Sequence, residues 1–135
     1  MINLPHFRLV WLGGLAGLIP FYFSALAVQT GWVEVLLFKS YSVIILAFLS
    51  GVVWWHGLQQ SDRASMVVAL VIPALAWLFF LLPLTLMLLL LATAYVLLWS
   101  WEMYRLRPFY PASYITLRTL LTVFVLFAHA WVIWI

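Results

Sequence analysis

The sequence predicts an all-α fold, a polytopic membrane protein built as a bundle of five transmembrane helices. Composition is the first observation: 69% of residues are hydrophobic and 7% are charged. A soluble domain is about half apolar and roughly a quarter charged, so only a bilayer can serve as solvent for this much apolar surface. The second is a series of apolar stretches of spanning length separated by short polar segments. The third is the placement of the cations. Five spans put Arg8, Arg63, Arg105, Arg107 and Arg118 on one side and Lys39 alone on the other; four spans would split the arginine cluster. The positive-inside rule then sets the amino terminus in the cytoplasm and the carboxyl terminus outside. The 135 residues leave room for one transmembrane domain, residues 1–135.

The first span covers residues 7–28. Arg8, an apolar run and the small residues Ser24 to Ala27 resemble a signal peptide, but Gly13, Gly14, Gly17 and Pro20 mark a packed, kinked helix. Gly13 and Gly17 form a GxxxG pair. Gln29 to Lys39 is a connector, with room for a short interfacial helix around Trp32 and Glu34. The second span, residues 40–58 (SYSVIILAFLSGVVWWHGL), is the one the others gather around. At spacings of three and four, Ser40, Val43, Ala47, Ser50, Gly51, Trp54 and Gly57 share a face. Ala47 and Gly51 make a small-xxx-small pair, which lets backbones approach closely where lipid supplies no hydrophobic force. Gly13 and Gly17 are expected to meet Ala47, Ser50 and Gly51. A ligand groove over the notch at Ser50 and Gly51 is the other reading of this face, and both stay open.

Gln59 to Arg63 is the most polar stretch, a water-exposed loop in which Ser61 or Asp62 can cap the next helix. Met66 to Ser100 contains no charge. One helix of that length would extend about 50 Å, against a hydrocarbon core of about 30 Å. Two spans, residues 65–82 and 84–104, fit better, with Pro83 at the first position of the second and Pro73 kinking the first. Arg105 to Pro111 (RLRPFYP) forms a loop, and residues 115–135 are the fifth span. Aromatic belts agree: Trp11, Trp54, Trp55, Trp99, Trp101, Tyr104 and Tyr110 at the inner boundary, Trp32, Trp131 and Trp134 at the outer.

Four stretches carry a family likeness: Leu12 to Phe21 (LGGLAGLIPF), Ile45 to Trp54 (ILAFLSGVVW), Pro73 to Trp77 (PALAW) and Leu117 to Thr122 (LRTLLT). Through them the chain resembles the transmembrane protein 69 family of bacterial and mitochondrial membrane proteins. The resemblance implies a small inner-membrane protein with no established activity. Where that family has Gly-Gly, a variable residue, His and Trp, this sequence reads Ser50, Gly51, Val52, Val53 and Trp54. The family's histidine is therefore missing, and His56 lies one turn further on.

Ionisable groups within spans are costly and mark functional candidates. Glu102, Arg118 and His56 qualify, and with Trp54 they make the candidate ligand-binding set. On the fourth span Thr85, Ala92, Tyr95, Trp99 and Glu102 share a face; on the fifth, Arg118, Thr122, Val125 and His129 do. Glu102 can pair with Arg105 on its own helix or with Arg118 on the next, and Arg118 is preferred for its matching depth. His6 and His56 could in principle hold a haem axially, but satisfied interfacial histidines are the simpler reading, and no cofactor is expected. There is no zinc-ligand spacing, no cysteine, no Ser-His-acid set and no phosphate-binding glycine loop, so no catalytic or metal-binding residue is assigned and enzyme chemistry is not expected. Scattered cations at span ends report topology, not nucleic-acid binding. The expected partners are the lipid bilayer and other membrane-protein subunits. Two functions survive: an accessory or assembly subunit of a larger membrane complex, which is preferred, and a binding or transport protein for an apolar ligand such as a quinone or lipid.

Overall fold

The computed structural model describes the backbone of residues 4–135 and the side chains of residues 8–135. Five helical segments are long and apolar enough to cross a membrane: Arg8–Gln29, Val35–Gln59, Arg63–Leu81, Leu84–Phe109 and Ala112–Trp134. Among the described residues there is no strand.

The first span is two helices, α1 (Leu4–Ala16) and α2 (Ile19–Gln29). Pro20 has no N–H to return to Ala16, and its ring crowds that carbonyl, so the helix breaks one turn ahead of it. The Tyr41 hydroxyl donates to the Gly17 carbonyl at the break, at 2.7 Å. Beyond it, α2 is tied into the bundle: Tyr22 donates to the Phe124 carbonyl (2.7 Å) and Trp131 Nε1 to Gln29 Oε1 (2.9 Å). Helix α1 makes its main contact with the last helix of the chain. Gly31, at φ 77°, closes α2 in a turn where Trp32 N–H reaches the Ala27 carbonyl.

Helix α3 (Val35–Gln59) absorbs the last residues of the expected connector and is central, packing on α2, α4 (Arg63–Leu78) and α5 (Leu84–Trp101). Its buried side is Phe38, Ser42, Leu46, Leu49, Ser50, Val53 and Gly57. The loop to α4 takes three residues. Ser61 adopts the left-handed conformation (φ 52°), Asp62 N–H returns to the Gly57 carbonyl at 2.8 Å, and Asp62 then caps α4 through Ser65. Pro83 stands just ahead of α5 as its N-cap residue. The RLRPFYP segment is not an open loop. A π-helical turn, Glu102–Leu106, and a 3₁₀ turn, Arg107–Phe109, carry the chain down to α6 (Ala112–Trp134).

The core is Phe21, Leu46, Met87, Leu91, Tyr95, Leu98 and Val125 with their neighbours. Ile44, Leu70, Trp77, Leu81 and Phe127 point outward, as a lipid-facing surface must.

The expected meeting of the two small-residue strips is not formed. A Cβ on Gly13 or on Gly51 would have nothing within 4 Å, and Ala47 is exposed. The reason is the break at Gly17: α2 packs on α3 and α6, whereas α1 makes its main contact with α6 and not with α3. The close approaches fall on other glycines. A Cβ on Gly14 would lie 3.2 Å from Leu121, and one on Gly57 would lie 2.8 Å from Met66 and 3.2 Å from its backbone nitrogen.

Candidate functional site

Glu102 and Arg118 are each 1% exposed and form an ion pair. Burying such charges is tolerable only when their remaining hydrogen-bonding capacity is met. Arg118 Nε donates to Glu102 Oε1 at 2.8 Å, and the Tyr110 hydroxyl donates to Oε2 at 2.8 Å. Arg118 Nη1 donates to Thr122 Oγ1, whose own proton goes to the Arg118 carbonyl. Nη2 lies 2.8 Å from Oε1 but has no hydrogen-bond partner among the described residues. The π-helical turn makes this possible, because it carries Glu102 inward while Tyr110, eight residues on, folds back over it. Burial and the neighbouring carboxylate push the Tyr110 hydroxyl well above its usual range, so it stays a donor to Glu102.

Arg105 takes a different acid. It binds Asp62 through Nε (3.1 Å) and Nη2 (2.8 Å), and Asp62 also receives the Ser65 hydroxyl at 2.6 Å. Trp101 Nε1 donates to Ser65 Oγ. The loop before α4 and the end of α5 therefore meet at one boundary, as alternating spans require. The hydrogen bond from the Ser65 side chain, helped by Arg105, holds the Asp62 carboxyl below the usual range.

The candidate ligand residues separate. Trp54 is half-buried and packs on the core. His56 sits edge-on to the Tyr110 ring, with centroids 4.8 Å apart, and so touches the far side of the tyrosine that holds Glu102. His6 lies outside the described side chains. Tyr95 and Glu102 are buried as the fourth-span face predicts, but Thr85 is exposed and Ala92 and Trp99 are half-buried. Arg118, Thr122, Val125 and His129 are all buried.

A second buried polar cluster had no signal beyond the helical phase of His129. The Ser42 hydroxyl bonds His129 Nε2 at 2.7 Å, Nδ1 lies 2.8 Å from the Val125 carbonyl, and the Tyr95 hydroxyl donates to the Ser42 carbonyl. Serine and imidazole stand as a nucleophile and base would. Both residues are fully enclosed, however, with Phe38 edge-on and Phe21 tilted against the ring, and the cluster joins α3, α5 and α6. The Ser50 hydroxyl, also buried, has no partner among the described residues. Neither Ser50 nor Gly51 lines the cleft or the chamber that lie beside α1.

Where α1 stands away from α3, a cleft of about 740 Å³ opens between α1, α3 and the start of α6. Leu9, His56, Gln59, Tyr110 and Tyr114 are at one end, near the start of the first span; Gly13, Gly14, Phe48 and Leu121 form its deeper walls. It shares Gly13, Gly14, Phe48, Leu49 and Leu121 with a chamber of about 90 Å³ bounded by Tyr95, Thr122 and Arg118.

A family model described as "Protein of unknown function (DUF3429)" matches residues 7–134. The chain belongs to that family. No curated protein and no solved structure matches it. This DUF3429 protein thus offers its own geometry as the ground for a functional reading.

Proposed function

We propose that this DUF3429 protein is an integral inner-membrane protein, related to the transmembrane protein 69 proteins, that binds an apolar ligand in the cleft between its first, second and fifth spans. The amino terminus is cytoplasmic in this reading, on the strength of the arginine asymmetry. The carrying observation is the cleft itself, apolar along its depth and polar only at the inner end, a distribution that suits a molecule with one polar end. His56 borders the ligand directly, Arg118 closes the deeper chamber, and Glu102 acts behind Arg118. No bond-making step is assigned to them. Purification in mild detergent, with native mass measurement, organic extraction and an absorption spectrum, tests this. An extracted small molecule near one per chain supports it; bulk lipid alone contradicts it.

The accessory-subunit reading keeps one observation in its favour. Ala47 and Gly51 are small and exposed, so a partner helix could approach closely over them. A protein subunit of fixed stoichiometry in the same native mass would favour it.

A further inference from the structure

We infer that the ligand has a neutral, planar, hydrogen-bonding head of the quinone class, seated at His56, Gln59 and Tyr114, with an apolar tail running toward the Arg118 chamber. This rests on the cleft being a binding site at all. Among the described residues no charged side chain lines the large cleft. Its polar groups are an imidazole, an amide and phenols. The side chains of His56, Gln59 and Tyr114 have no hydrogen-bond partner among the described residues, whereas Tyr110 is committed to Glu102. Such groups suit carbonyl or hydroxyl oxygens; an anionic head would lose its hydration there without a countercharge.

The aromatic rings are at the same end. Trp55, Phe109, Tyr110 and Tyr114 surround the polar groups, with Tyr110 and Tyr114 edge-to-face at 4.9 Å, and offer faces and edges to a planar ring. Deeper in, Gly13 and Gly14 leave backbone where side chains would stand, and Phe48, Leu49 and Leu121 complete an apolar groove continuous with the chamber. Arg118 adds no net charge there, because Glu102 already neutralises it. A phospholipid fits this wall poorly, since its phosphate would meet only neutral groups.

The test uses the full chain in phosphatidylcholine nanodiscs, titrated with a decyl-tailed 1,4-benzoquinone and followed by tryptophan quenching and by melting. Palmitoyl lysophosphatidylglycerol, with one tail and an anionic head, is the comparator. Saturable quinone binding near one per chain is expected, and the anionic lipid should not displace it. His56→Leu and Gln59→Leu should each weaken quinone binding roughly fivefold, and the exposed Gln59→Leu should do so without lowering the melting temperature of the empty protein. Gly13→Phe, at a position with open space around it, should abolish saturation while the protein stays folded. If the anionic lipid binds as tightly and competes, the cleft stands and the neutral-head assignment falls. If quenching by the quinone is linear and neither molecule saturates, the binding reading falls with it.

Discussion

Removing one charge of the Glu102–Arg118 pair leaves the other enclosed at 1% exposure without its countercharge. Glu102→Gln and Arg118→Gln should therefore each cost about 3–5 kcal/mol of stability. The double variant should cost far less than the sum, as read by thermal unfolding in detergent. The Ser42–His129 hydrogen bond is a smaller matter. Bonds between membrane helices average about 0.6 kcal/mol, so Ser42→Ala should lower the melting temperature slightly and leave the fold intact. Arg118 and His129 were both legible in the sequence, because the spacing of 118, 122, 125 and 129 is a helical stripe. Their partners were only half legible. Glu102 follows from depth, but Tyr110 reaches it through a π-helical turn and Ser42 reaches His129 across 87 residues, and no periodicity encodes either.

The elements show where small residues matter. Gly57 is enclosed by Met66 and the Asp62 carbonyl, so Gly57→Leu should sharply reduce folded yield, whereas Gly51→Leu should leave yield and melting unchanged. The sequence pattern put both glycines on one packing face and so expected Gly51→Leu to lower folded yield as well. That face was drawn about a third of a turn away from the side that packs, and small residues there do not distinguish lipid from protein. The loop before α4 carries the pH dependence. Asp62 is depressed on folding, so its contribution is present above its unfolded value of about 4 and is lost as pH falls through the lower folded value. Melting of the parent should fall more steeply below about pH 4 than melting of Asp62→Asn.

At the scale of the whole molecule, the number and order of the spans were legible because bilayer thickness limits helix length and because the uncharged run from Met66 to Ser100 is too long for one helix. The break at Gly17 was visible only as a kink, and its consequence depends on where α2 finds contacts: the second half of the first span joins the bundle more closely than the first half. A carboxyl-terminal tag should be reached only from outside the inner membrane; a cytoplasmic signal would overturn the orientation. The cleft that follows from the break is tested most directly by comparing two substitutions. Gly13 and Gly51 both have open space around them, but only Gly13 lines the cleft. Wild type, Gly13→Phe and Gly51→Phe are to be purified identically and their extracts quantified by mass spectrometry. The account predicts one apolar small molecule per chain, retained by Gly51→Phe and lost from Gly13→Phe; equal extracts from all three would contradict it.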